Sequence, residues 1–138
     1  MATLANVTLE PKRVSPNSPN VSLHLTYTLT PSTVEKQAGT VFREHIEILG
    51  EDGAVDPLLV ALSDQTFPVS TTTASVARTR DRTVSKSIIN EDPGVDTRAS
   101  ELGDELLAKV TVTYAANAPI PTPVIPPAFS AVVRGVWK

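Results

Sequence analysis

The sequence predicts an all-β fold: two antiparallel sheets packed as a β-sandwich of about seven to nine short strands. Three observations predict it. Val21–Leu29 and Leu106–Tyr114 alternate apolar and polar residues with period two, the pattern of a strand with one dry and one wet face. Twelve prolines and repeated turn residues interrupt the chain too often for long helices. Apolar residues make up 41% but aromatics only 4%, so a core must come from Val, Leu, Ile and Ala. With 138 residues the chain has the length of one domain, spanning 1–138. A domain of this size buries about 70% of its unfolded surface and needs no external staple.

Taken in order, Ala5, Val7 and Leu9 alternate in a first, weaker strand. In the second, Val21, Leu23, Leu25, Tyr27 and Leu29 share one face, and Thr30-Pro31-Ser32 ends it. Phe42, Ile46 and Ile48 share a parity that Glu44 interrupts. Leu58–Leu62 is a short apolar run. Val69–Ala77 is β-prone through Thr and Val, and Val84 and Ile88 share a face after it. Near 97–103 a short helical turn is expected, because Leu102, Leu106 and Val110 fall at helical spacing behind Asp96 or Thr97, while Gly103 limits its length. It feeds the strand whose dry face is Leu106, Ala108, Val110, Val112 and Tyr114.

Residues 115–127 form a Pro-rich arm carrying Pro119, Pro121, Pro123, Pro126 and Pro127. Closely spaced prolines lack amide donors and favour an extended, semi-rigid path, which excludes a two-residue hairpin before the last strand. That strand, Ala128–Trp137, has Phe129, Ala131, Val133 and Trp137 on one face. The whole pattern resembles the immunoglobulin-like sandwiches in architecture, without the Cys and Trp marks of antibody domains. Architecture alone does not imply a function.

Several functions are disfavoured. The net charge is −3 and the twelve Lys and Arg form no stripe, so no nucleic-acid partner is expected. No window has the apolar length of a membrane span, and the N-terminus lacks the marks of a signal peptide. The expectation is therefore a soluble protein with no membrane partner, cytoplasmic or part of an assembled particle. With no cysteine there are no thiol nucleophiles, disulfides or thiolate metal sites. No nucleophile elbow, phosphate loop, dinucleotide fingerprint or zinc-binding helix motif occurs. His24 and His45 have wet-face parity and read as solvent-facing strand residues. No catalytic residue and no cofactor are expected.

Four features remain as candidates. Glu51, Asp52 and Asp56 in one acidic turn, and Glu91, Asp92 and Asp96 in another, offer the oxygen ligands calcium takes, although Asp and Gly in turns also serve only to end strands. Arg78, Arg80 and Arg82 form a period-two row, either a surface for an anionic partner or a guard against edge-to-edge aggregation. Pro119, Pro121 and Pro123 stiffen an arm that either loops over the surface or lets the last strand pair with a neighbouring copy. Phe129 and Trp137 on that strand either close the core edge or dock on a partner. The expected function is a non-catalytic structural or interaction module of a homo-oligomeric assembly, with copies of itself as partners. Its most concrete form is a shell, decoration or tail component of a virus- or phage-like particle. The alternative is a ligand-binding module that uses the acidic loops for calcium.

Overall fold

The computed structural model describes residues 1–13, 18–50, 58–89, 104–121 and 125–135. They form nine strands and two short helices: β1 (Thr3–Arg13), β2 (Asn20–Thr30), α1 (Thr33–Ala38), β3 (Val41–Gly50), β4 (Leu58–Ala61), β5 (Gln65–Pro68), β6 (Val76–Ser85), α2 (Lys86–Ile89), β7 (Asp104–Ala116), β8 (Ala128–Phe129) and β9 (Val133–Gly135). The strands build two antiparallel sheets. One has the order β1-β2-β6. In the other, β3 and β7 pair along their lengths; β5 and β4 lie end to end beside β3, and β8 and β9 beside β7.

Both sheets supply one core. Val21, Leu23, Leu25, Tyr27 and Leu29 of β2 are all buried, as are Leu106, Ala108, Val110 and Val112 of β7, the faces that period two assigns. Phe42, Ile46 and Ile48 of β3 join them, with Phe67 of β5 stacked 5.8 Å from Phe42. Burying aliphatic side chains from both sheets in one cluster is the main force holding the sheets together.

Several local features depart from the sequence expectation, each for a physical reason. In β1 the ladder passes from Ala5↔Thr28 to Thr8↔Thr26, so β1 has one residue more than β2 there. Asn6, at φ 55°, takes up the bulge, and the alternation reverses: Leu4 packs against the core and Ala5 is exposed. Helix α1 was not expected. Ser32 accepts from the Glu35 amide at 3.3 Å while the Glu35 carboxylate accepts from the Ser32 amide at 2.8 Å, a reciprocal capping box, and Gly39 at φ 64° closes the other end. Thr71–Thr73 is a turn rather than strand, because the Thr73 hydroxyl accepts from the Ser70 amide and competes with a ladder. Beyond Ser85 the chain turns into α2, leaving Ile88 exposed instead of in line with Val84. The helical turn expected at 97–103 lies outside the described residues.

The last strand is two short pieces, and its faces are inverted over Phe129–Ala131 only, since Val133 packs against the core on the side that period two assigns. Phe129 is 52% exposed and Ala131 is exposed, while Ser130 is buried. Ser130 explains the inversion. Its amide donates to Ala108 O, its Oγ accepts from the Ala108 amide and donates to Ala131 O, each at 2.9 Å. A serine hydroxyl thus stands in for a backbone group of the ladder. The segment pairs with β7 of its own chain, and β7 itself runs on through Ala116, so the Pro-rich connection starts at Asn117.

Candidate functional site

Glu44 is the polar centre of the molecule. It lies on β3 between Phe42 and Ile46, pointing into the core with no exposed surface. An ionised carboxylate survives there only if donors replace its water. Three side chains of the opposite sheet do so. Tyr27 Oη on β2 donates to Oε1 at 2.6 Å; Arg78 Nε on β6 donates to the same oxygen at 2.8 Å; Arg80 Nη1 donates to Oε2. Burial works against the charge, but the hydrogen bonds from Arg78, Tyr27 and Arg80 together outweigh it and hold the Glu44 carboxyl below its usual range. Burial and the same carboxylate push the Tyr27 hydroxyl upward, so it stays a donor.

The outer halves of both guanidinium groups also have partners. Arg80 Nη2 donates to Ser63 O at 2.8 Å, in the gap between β4 and β5. Arg78 Nη2 donates to Gln65 Oε1 at 2.9 Å, and its guanidinium lies 4.6 Å from the centre of the Phe67 ring. The cluster therefore ties edge strand β6 of one sheet to edge strands β4 and β5 of the other. Of the arginine row, Arg78 is half-buried, Arg80 is buried, and Arg82 is exposed with no hydrogen bond or ion pair to a described residue.

A second buried carboxylate sits on α1. Glu35 has no exposed surface and accepts from the Ser32 amide and from Tyr114 Oη at 2.6 Å. Burial opposes its charge too; the bonds from Tyr114, Ser32 and the Ala2 backbone win and keep it below the ordinary value. Glu35 thus joins the helix to β7 and to the N-terminus.

Both histidines lie on outer faces, where period two puts them. His24 Nδ1 meets Asp81 Oδ1 at 2.6 Å, and Glu10 faces His24 from the other side, in a row across β1, β2 and β6. The bond to Asp81 is the main cause that raises His24 above its ordinary value. His45 Nδ1 meets Asp64 Oδ1 at 2.8 Å, with Glu47 Oε1 3.7 Å from Nε2. Each carboxylate fixes one ring nitrogen and leaves its imidazole on an open sheet face. Among the described residues no three His, Asp or Glu side chains converge as metal ligands, and no helix is long and apolar enough to cross a membrane.

Glu51, Asp52, Asp56, Glu91, Asp92 and Asp96, as well as Pro123 and Trp137, lie outside the described residues. Pro119 is half-buried and Pro121 exposed in the connection after β7. Phe129 lies on the outside of β8 with Lys109 Nζ 5.8 Å from its ring centre. Comparison of the chain with protein-family models, curated proteins and solved structures finds no match.

Proposed function

We propose that this chain is a non-catalytic structural module, an immunoglobulin-like β-sandwich that works in a homo-oligomeric assembly. A shell, decoration or tail element of a virus- or phage-like particle is its most concrete form. The observation that carries this reading is the C-terminal segment. It attaches to β7 through two very short ladders, yet it turns Phe129 and Val132 outward at 52% and 41% exposure. A chain poor in aromatics thus places one of its three Phe on an open sheet edge. A large side chain so placed gains most by burial against another molecule. The internal carboxylates support a structural role as well, since Glu35 and Glu44 are each occupied by donors from neighbouring elements.

Sedimentation velocity on the full chain tests the proposal. The wild type should sediment at tens of micromolar as a species heavier than its 14.7 kDa chain. Phe129→Glu with Val132→Glu should sediment as a monomer with unchanged circular dichroism, because both side chains are exposed. A wild type that is monomeric at every concentration overturns the proposal.

A further inference from the structure

The two sheets have four edges, and three of them are blunted. Beside β3, the edge is cut between β4 and β5, where Ser63 O turns to Arg80. Beside β7, it is cut at Ser130. Strand β1 carries the bulge at Asn6 and a proline at Pro11. Such interruptions prevent a strand from another molecule from continuing a ladder.

Strand β6 has none of these devices. Its ten residues, Val76–Ser85, pair with β2 from Leu29 to Asn20 without a register shift, and they include no proline. Its other side pairs with no strand among the described residues. At about 3.4 Å per residue this is an edge of roughly 30 Å, long enough for a full strand. Ala77, Thr79, Asp81, Arg82 and Thr83 are exposed along it.

The charges select the occupant. In an antiparallel pair, residues facing each other lie on the same side of the sheet. Two β6 strands pairing about a two-fold axis centred on successive residues from Arg78 to Arg82 would set Arg78 on Arg78, Arg78 on Arg80, Arg80 on Arg80, Arg80 on Arg82, then Arg82 on Arg82. Every register that uses the middle of the strand opposes like charges, which is destabilising. The arginine row carries three positive charges against the single carboxylate of Glu44, and Arg82 is partnerless among the described residues. We infer that β6 accepts an extended acidic segment of a different chain, with carboxylates at alternate positions along the arginine row. Main-chain hydrogen bonds hold that segment, and Arg82 selects its charge.

The test uses the full chain and two synthetic nonapeptides, one alternating Thr with Glu and one alternating Thr with Lys. Affinity is read by fluorescence anisotropy and location by amide hydrogen exchange. The acidic peptide should slow exchange within Val76–Ser85 and bind about fivefold more tightly than the basic one, the worth of one partly exposed ion pair. The chain's net charge of −3 makes this stringent, because long-range attraction favours the basic peptide. Arg82→Gln should remove the preference, and Arg82→Glu should invert it. Equal binding of both peptides, protection away from β6, or β6 protection that grows with protein concentration in the absence of peptide overturns the inference.

Discussion

Glu44 and Arg80 stand on strands of different sheets, thirty-six residues apart in sequence, and share a hydrogen-bonded ion pair closed off from solvent. Arg78 and Tyr27 complete the carboxylate's shell, so one side chain of β3 is bonded to two strands of the other sheet. Removing one member of a buried pair strands the other's charge, which costs about 3–5 kcal/mol. Glu44→Gln should therefore lower unfolding free energy by an amount in that range, measured by chemical denaturation. Arg80→Ala should cost more than Arg78→Ala, because Arg78 lies nearer the surface, where water can replace its bond to Glu44 once it is removed. The reverse order would mean that the Phe67 and Gln65 contacts of Arg78, not the buried bond of Arg80, dominate the cluster.

Acid should loosen the fold through Glu44 and Glu35. Both carboxyls titrate below their ordinary value of 4.5 in the folded chain. A depressed folded value gives stability that is complete above the unfolded value and lost as pH falls through the folded one. Unfolding free energy should accordingly hold from neutral pH down to about 4.5 and decline below it. In Glu44→Gln the decline should be shallower, since one of the two groups no longer titrates. An equally steep profile in that variant would assign the acid sensitivity to other carboxylates.

His24 behaves with the opposite sign. Its folded value lies above 6.5, chiefly through the bond to Asp81. Any stability it contributes is therefore present below 6.5 and lost as pH rises through the folded value. The nuclear magnetic resonance titration of the His24 ring should move down towards 6.5 in Asp81→Asn. Thermal stability near neutral pH should scarcely change, because the pair is exposed.

Helix α1 should depend on β7. Ser32→Ala removes the capping acceptor and should cost about 1 kcal/mol. Tyr114→Phe leaves the buried Glu35 short of one donor and should cost about 1–3 kcal/mol. The two costs should not add, since both changes loosen Glu35, one at its amide and the other at its carboxylate. Strict additivity in a double-mutant cycle would show that cap and tyrosine bond are independent.

Strands β2 and β7 were legible because β2 buries one face completely and β7 buries Leu106, Ala108, Val110 and Val112 of one face, which imprints period two on the chain, although Leu107 on the other face of β7 is buried too. Glu44 was legible only as an interruption, because the residues that explain it belong to β2 and β6 and no local pattern links them. The arginine row illustrates the same limit: period two places Arg78, Arg80 and Arg82 on one face without saying whether that face is the inner one. Helix α1 was readable and missed, since Ser32, Glu35 and Gly39 carry its start and stop signals. In the final strand Val133 keeps the inner side that period two gives it, whereas Phe129 and Ala131 do not, because Ser130 takes the inner position through hydrogen bonds that hydrophobic periodicity does not register.

Asn6 is, in counting terms, a spare residue. It lets Leu4 meet Leu29 while Thr8 meets Thr26, with one more residue between them than an unbroken ladder would hold. A chain lacking Asn6 would keep every flanking side chain on its present side, so folding would not notice the loss. It would, however, straighten the outer rim of the smaller sheet from Thr3 nearly to Pro11. The harm would surface as precipitation on storage rather than as a lower melting temperature. A residue that adds nothing to the core thus interrupts an outer edge that would otherwise run unbroken.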